Sequence, residues 1–268
     1  MINYKKAVVY GGGGLIGSKV VDLLRKTGID VVPASRRTHV NIFTGEGLEA
    51  ALKGADLTID VSDVPSLDEQ TLKTFFRTSG DHIFKAERDA GVRHHVLLSI
   101  VGVNVIHGNP YYEAKRVQEK ILFSSGVPYT LVRATQFFEF MPMLAAAYSK
   151  DGIARFPDAM FQPASADDVA AFLAQSALGR PTNDAVFVAG PERSSFADTF
   201  ARFFELSNDA RRAVTDASST FFGANLGSTS IVPEHVDHWG TIRLADWVGS
   251  AAGNAAFASE KYANHTPV

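Results

Sequence analysis

The chain of 268 residues contains no cysteine. Disulfides, thiolate nucleophiles and cysteine–metal centres are therefore excluded. The absence is compatible with a reducing, intracellular compartment, and a cytoplasmic location is expected. No apolar run approaches the roughly 20 residues that a membrane-crossing helix needs, so no membrane partner is expected. An excess of basic charge is missing too. Lys and Arg number 26 against 29 Asp and Glu, for a net charge of −3. A nucleic-acid binder presents a basic face, so none is expected to bind directly. The opening "MINYKKAVVYGG" has two lysines, but its apolar stretch runs straight into glycine. It reads as a first strand rather than a signal peptide. Internal repeats and low-complexity linkers are absent as well.

What is present is an alternation of short apolar runs and helical periods. Lys5–Gly11, Ile29–Ser35, Ala55–Ser62, Arg93–Ile100 and Pro128–Ala134 read as strands. Leu15–Lys26, Ser79–Ala90 and Glu113–Ser124 read as helices between them. Strands alternating with helices of this length predict right-handed βαβ units and a doubly wound parallel sheet, an α/β Rossmann fold. Gln136–Lys150 is expected to be helical. Ser165–Gly179 is expected to be a helix opened by a Ser-x-x-Asp cap, Asp184–Gly190 a strand, and Phe196–Leu206 an amphipathic helix. From about Ser207 no strand pattern is visible, so helices and loops are expected there. The tail Ala258–Val268 is expected to fray. The division this suggests is a Rossmann domain over 1–150, its core continuing through about 163–190. A small, mostly helical substrate or lid region follows over 191–268.

The stretch "VVYGGGGLIG", Val8–Gly17, places four glycines between a strand and a helix. Bare backbone there lets a pyrophosphate approach, and the helix N-terminus offers unpaired N–H groups. Gly12, Gly14 and Gly17 fit G-x-G-x-x-G, while Gly11, Gly14 and Gly17 fit G-x-x-G-x-x-G, so spacing leaves two dinucleotide-binding classes open. The second strand ends in Ser35, Arg36 and Arg37, with no carboxylate where a free ribose 2′-hydroxyl is normally bound. Guanidinium groups and a hydroxyl suit a 2′-phosphate, so NADP(H) is expected over NAD(H).

Further along, "IVGVNVIHGNPYYEAKR" carries Tyr111-x-x-x-Lys115. One helical turn puts both on one face. A nearby ammonium favours phenolate, which makes the phenol a usable proton donor or acceptor for a carbonyl/alcohol pair. Ser99, at the end of the preceding strand, is placed to hold the same oxygen. Other residue groups carry less. His235 and His238, with Glu234 and Asp237, form a His-x-x-His pair without a further partner, and no metal is expected. One of His94 and His95 should face outward and the other be satisfied internally. Phe137, Phe138, Phe140 and Phe161 are core candidates, some of which could line an apolar substrate pocket.

The glycine turn, "RHHVLLSIVG", "YYEAKRVQEKI" and "GVPYTLVRATQFFEF" together resemble the atypical short-chain dehydrogenase/reductases, in particular the NmrA-like NAD(P)-binding group. The likeness runs from about Lys5 to Gly190. It implies that Gly11, Gly14 and Gly17 form the phosphate turn, with Leu15 and Ile16 offering backbone N–H groups. Ser35 and Arg36 would meet the adenosine phosphate, and Val61 and Ser62 the adenine ribose. Lys115 would bond the nicotinamide ribose, and Ala134, Gln136 and Phe137 would border the nicotinamide ring. Two departures stand out: Tyr10 occupies a position where many relatives have threonine, and Tyr112 adjoins Tyr111 as an alternative pocket-facing phenol.

The leading expectation is an NADPH-dependent oxidoreductase moving hydride between the coenzyme and a small, largely apolar carbonyl, enone or quinone, in a monomer or homodimer. One alternative is an NADP(H)-binding redox sensor without turnover. Another is a nucleotide-sugar epimerase or dehydratase, for which Arg193, Arg202, Arg211 and Arg212 would have to bind two phosphates.

Overall fold

The computed structural model describes residues 4–258 apart from Pro65 and Leu67. The segment expected to fray lies, but for Ala258, outside the described residues. The first half of the chain runs β1 (Lys6–Tyr10), α1 (Leu15–Arg25), β2 (Asp30–Ala34), α2 (Leu48–Leu52), β3 (Leu57–Asp60), α3 (Glu69–Ala90), β4 (His94–Ile100), α4 (Pro110–Phe123) and β5 (Tyr129–Ala134). Then come α5 (Met141–Tyr148), β6 (Ser149–Lys150), β7 (Ile153–Phe156), β8 (Met160–Phe161), α6 (Ala166–Leu178) and β9 (Ala185–Ala189). The chain closes with β10 (Ser194–Ser195), α7 (Phe196–Leu206), β11 (Arg212–Thr215), β12 (His238–Trp239), α8 (Leu244–Val248) and α9 (Ala251–Ala258).

Seven strands form one sheet in the order β12-β9-β5-β4-β3-β1-β2. Every neighbouring pair in it is parallel. This is the Rossmann-type α/β fold. Chain order reverses at β1, since β2 lies on one side of it and β3 on the other. That reversal opens a crevice at the carboxyl ends of β1 and β3.

Strand alternation sends successive residues to opposite faces. Val9, Ile59, Val96 and Val132 pack with Val20, Leu24, Val169 and Leu173 of α1 and α6. Val8, Leu97 and Leu131 pack on the other side with Leu52, Ile83, Phe84 and Leu122 of α2, α3 and α4. A third cluster, rich in phenylalanine, gathers residues from α4, α5, β7, β8 and α7 to α9.

Several expectations are corrected. α3 begins ten residues before Ser79, because Asp68 caps it by accepting the Thr71 N–H at 2.8 Å. The stretch 136–150 is not one helix: a 3-10 turn (Phe138–Phe140) precedes α5, and Ser149–Lys150 pairs with β7. Beyond Ser207 there are strands after all, β11 beside β7 and β12 beside β9. Both are too short to show a period, and tertiary pairing decides them.

Neither His94 nor His95 faces outward, because helices cover both faces of the sheet. Both are fully buried. On one face His94 shares hydrogen bonds with the Thr130 hydroxyl (2.9 Å) and the Tyr4 hydroxyl (3.2 Å). On the other, His95 meets the buried Glu87 carboxylate at 2.9 Å, which also accepts the Tyr10 hydroxyl at 3.1 Å. Tyr10 is thereby locked beneath the glycine turn, in a network extended by Thr58.

These imidazoles respond to pH in separate windows. Burial, with the adjacent His95, pulls His94 from 6.5 down to about 4. The unfolded chain therefore binds a proton that the folded chain resists, and stability falls as pH drops from 6.5 towards 4. The full loss is about 3 kcal/mol. Burial also opposes charging of His95, but Glu87 outweighs it and raises the pKa. That contribution is complete below pH 6.5 and fades only above it, so it does not mask the first. Urea midpoints measured from neutral pH to pH 4 are expected to fall in the wild type and flatten in His94→Gln; parallel curves would refute the assignment.

Candidate functional site

The glycine quartet has one crowded side and one open side. Gly11 has φ +76°, and a Cβ there would lie 2.8 Å from the Val61 carbonyl. A Cβ on Gly17 would lie 2.1 Å from the Gly11 carbonyl. These two glycines let α1 pack on the turn and the turn pack on the loop after β3. Gly13, by contrast, has nothing nearer than the Ser35 hydroxyl at 4.0 Å. Gly13, Gly14 and Leu15 form the exposed side. Gly14 caps α1 without a side-chain bond, and no acidic residue occupies the first turn. The N–H groups of Leu15, Ile16 and Gly17 therefore keep their capacity for an anion.

Beside this cradle, β2 runs into a 3-10 turn (Arg36–Thr38). The Thr38 hydroxyl donates to the Pro33 carbonyl at 2.7 Å and accepts the Ser35 N–H at 2.9 Å. The turn is thus fixed by its own hydroxyls while Arg36 and Arg37 stand exposed, without an ion-pair partner among the described residues. Val61 and Ser62 abut Gly11 from the β3 side. A dinucleotide diphosphate fits this arrangement: bare main chain, free helix N–H groups and two uncommitted guanidinium groups.

The second part of the site is the start of α4. Asn109 caps it, accepting the N–H groups of Tyr111 (3.0 Å) and Tyr112 (3.2 Å), and Pro110 occupies the first turn. Tyr111 sits against Leu72 and Phe76 of α3 and Ala114. Burial, with the negative charge of the Asp63 carboxylate, raises its pKa well above the ordinary phenol value. Lys115 is 4% exposed. Its Nζ donates to the Leu98 carbonyl at 2.8 Å and to Gln118 Oε1, and it lies 5.1 Å from the centre of the Phe76 ring. Gln118 in turn donates to Asp60 at 3.0 Å, and Asp60 accepts the Ser62 N–H at 2.9 Å. Burial lowers the Lys115 pKa, while Asp60, Asp63 and Glu119 act in the opposite direction.

Tyr111 and Lys115 are thus brought to one cluster with Asp60, Asp63 and Gln118. The Ser99 hydroxyl points elsewhere: it donates to Glu119 at 2.6 Å, beside the Glu119–Arg133 ion pair (2.6 Å). Glu119 lies about two turns further along α4 than Tyr111. Tyr112 is buried in the aromatic cluster, edge-on to Phe221, and accepts the Gln136 amide at 2.8 Å. Gln136 Oε1 and the adjacent Thr135 hydroxyl are buried and find no partner among the described residues.

Phe137 and Phe140 remain half-buried and stack with centroids 5.7 Å apart at the end of β5. Phe138 and Phe161 belong to the core. His235 is exposed on Asp237 (3.2 Å), while His238 stacks on Phe172 at 4.6 Å. Among the described residues no group of three or more His, Asp or Glu is placed to hold a metal. Arg202 pairs with Glu205, and Arg211 with Asp209. Asp60, Asp63, Gln118 and Glu119 had no motif spacing to mark them; the visible signal was two carboxylates at the carboxyl end of a strand, in "TIDVSD".

A family model described as NAD(P)H-binding matches residues 11–178. No curated protein matches the sequence. Among solved structures, the fold is similar to the Citrobacter sp. triphenylmethane reductase complexed with NADP(H), at TM-score 0.61 and 17% identity over 80% of this chain and 79% of that one. It is similar to dTDP-4-dehydrorhamnose reductase from Bacillus anthracis in complex with NADP, at TM-score 0.66 and 12% identity over 85% and 88%. UDP-glucose 4-epimerase from Thermotoga maritima, solved with UDP-glucose, gives TM-score 0.65 and 15% identity over 81% and 87%.

Proposed function

Because the chain belongs to the NAD(P)H-binding family, we propose that it is an NADPH-dependent oxidoreductase of the atypical short-chain type, acting on a small, largely apolar carbonyl, enone or quinone. Gly11, Gly14, Leu15, Ile16 and Gly17 would hold the diphosphate, and Ser35, Arg36 and Arg37 the 2′-phosphate. Val61 and Ser62 would lie along the adenine ribose, Lys115 at the nicotinamide ribose, and Ala134, Gln136 and Phe137 at the nicotinamide. The coenzyme, when bound, supplies hydride. Tyr111 supplies the proton to the substrate oxygen. Phe137 and Phe140 offer the half-buried apolar surface for the substrate's body, covered by the region 191–268. Ser99 could hold the substrate oxygen only by leaving Glu119.

The observation that carries this reading is that Tyr111 packs on the Leu72–Phe76–Ala114 cluster while Lys115 lies over Phe76 and is joined through Gln118 to Asp60, at the end of the strand whose following loop, Val61–Ser62, abuts Gly11. The sugar-nucleotide reading has less support, because Arg202 and Arg211 are already paired within their own segments. The sensor reading is favoured by one observation, the commitment of the Ser99 hydroxyl to Glu119.

NADPH consumption against a panel of quinones, enones and aldehydes tests the proposal. Tyr111→Phe is expected to lower kcat about 10²- to 10⁴-fold while leaving NADPH affinity, read by nicotinamide fluorescence, unchanged. Tight NADPH binding with an inert wild type across the panel would favour the sensor; equal turnover by wild type and variant would remove Tyr111 from the reaction.

A further inference from the structure

Lys115, Gln118 and Asp60 form one buried chain, each residue no more than 5% exposed. The Lys115 ammonium donates to the Leu98 carbonyl at 2.8 Å and to Gln118 Oε1. Gln118 Nε2 donates to Asp60 Oδ2 at 3.0 Å, and Asp60 Oδ1 accepts the Ser62 N–H at 2.9 Å. Gln118 follows Lys115 by three residues on α4, so both project from one helical face. A glutamine amide is a neutral group that accepts from an ammonium and donates to a carboxylate at once. An ionised glutamate cannot donate to Asp60, and methionine can do neither. The other groups that bear on the ammonium are Asp63 from the β3 end, Glu119 from α4 and the Phe76 ring of α3 at 5.1 Å.

We propose that Gln118 is a positioning residue that aims the Lys115 ammonium at the coenzyme. An ammonium carries three N–H groups. With two of them placed, by the Leu98 carbonyl and by Gln118, rotation about the Cε–Nζ bond stops and the third has a set direction. Through Asp60 the same chain reaches the Ser62 N–H, on the loop that abuts Gly11. The ammonium is thus held in register with the main chain beside the glycine turn. Without the amide, Leu98 alone holds the ammonium, and the carboxylates of Asp60 and Asp63 draw it off that line. Its aim at the nicotinamide ribose rests on the oxidoreductase reading; the capture of Lys115 by Gln118 does not.

Two measurements test this, and neither depends on turnover. The first is the titration of Lys115 Nζ in the coenzyme-free protein, followed by nuclear magnetic resonance on labelled lysine and identified by its loss in Lys115→Arg. Losing an acceptor disfavours the ammonium, so Gln118→Met is expected to move that titration to lower pH. Gln118→Glu adds a negative charge and is expected to move it to higher pH. The second is a double-mutant cycle on NADPH affinity, read by nicotinamide fluorescence. Gln118→Met is expected to weaken NADPH about tenfold in the wild type. In a Lys115→Met background the same change should cost less than about twofold, whereas a loss through packing would be the same in both. Coincident Lys115 titrations, or equal losses in the two backgrounds, would overturn the proposal. If Gln118→Met does not fold because Asp60 is left unpaired, Asp60→Asn/Gln118→Met read against Asp60→Asn gives the same comparisons. A wild type that binds no NADPH would defeat the coenzyme reading, and the titration alone would then decide whether Gln118 holds Lys115.

Discussion

Gly17→Ala is expected to lose NADPH binding by about a hundredfold or more, equivalent to about 3 kcal/mol, and to lower the melting temperature. The added methyl would lie 2.1 Å from the Gly11 carbonyl oxygen and 2.8 Å from the Gly12 Cα, both main chain. Neither can rotate away as a side-chain tip could. The Gly11 carbonyl also accepts the Gly14 N–H at 2.9 Å, so displacing it opens the turn that delivers α1 to the site. Overpacking of this kind typically costs about 1–3 kcal/mol in the fold itself, so a stability loss alone would not establish the binding role. Gly13→Ala separates the two effects. Its Cβ meets nothing nearer than 4.0 Å, so the fold should change by no more than about 0.5 kcal/mol. The methyl nevertheless stands on the open side of the cradle, and NADPH affinity should fall about tenfold. Fluorescence titration and thermal melts on the same samples give both quantities. A Gly13→Ala protein with native melting and undiminished affinity would mean that the coenzyme does not rest on this main chain.

That contrast between crowded and open glycines also shows where sequence reading succeeds. "VVYGGGGLIG" is local: strand, turn and helix follow one another, and each leaves its mark within ten residues. The same is true of α7, whose boundaries, Phe196–Leu206, match the amphipathic period, and of the Ser165 cap on α6. Legibility ends where an element depends on a distant partner. β12 has two residues, one of them the exposed Trp239; only its pairing with Val188 and Ala189 makes it a strand. The first turns of α3, before Ser79, fall outside the helix read from the sequence; Asp68 caps them.

The reaction centre divides in the same way. Tyr111 and Lys115 are visible as a spacing, and Gln118 follows on the same helix, but Asp60 and Asp63 come from the end of β3, which only the sheet order brings beside it. Ser99 was nearer to being legible. It lies two residues beyond Leu97, which faces α4, and strand alternation puts both side chains on that face. The partner waiting there, Glu119, belongs to the following helix, and nothing in the spacing announces it. His94 and His95 were misplaced for a related reason, since alternation implies an exposed side only where one face of the sheet meets water.

The preference for NADPH over NADH should reside in Arg36 and Arg37 and be removable. Both guanidinium groups are exposed on a turn whose backbone is fixed by Ser35 and Thr38, so replacing them disturbs no buried contact. Neither has an ion-pair partner among the described residues, so neither must break a bond before meeting a phosphate. A charge-assisted hydrogen bond is worth about 1.5–3 kcal/mol. One or two of them separate the coenzymes by about tenfold to several hundredfold, at 1.4 kcal/mol per decade. Arg36→Ala/Arg37→Ala is therefore expected to weaken NADPH by that factor and leave NADH within about threefold, with melting unchanged. Salt supplies an independent check, because exposed phosphate contacts are screened over about 10 Å at 0.1 M ionic strength: wild-type NADPH affinity should fall with added salt, and that of the double variant should not. Equal losses for both coenzymes would place the arginines on a phosphate common to the two. No loss for either would leave them as solvated charge on a surface turn, and the discrimination would have to come from another part of the crevice.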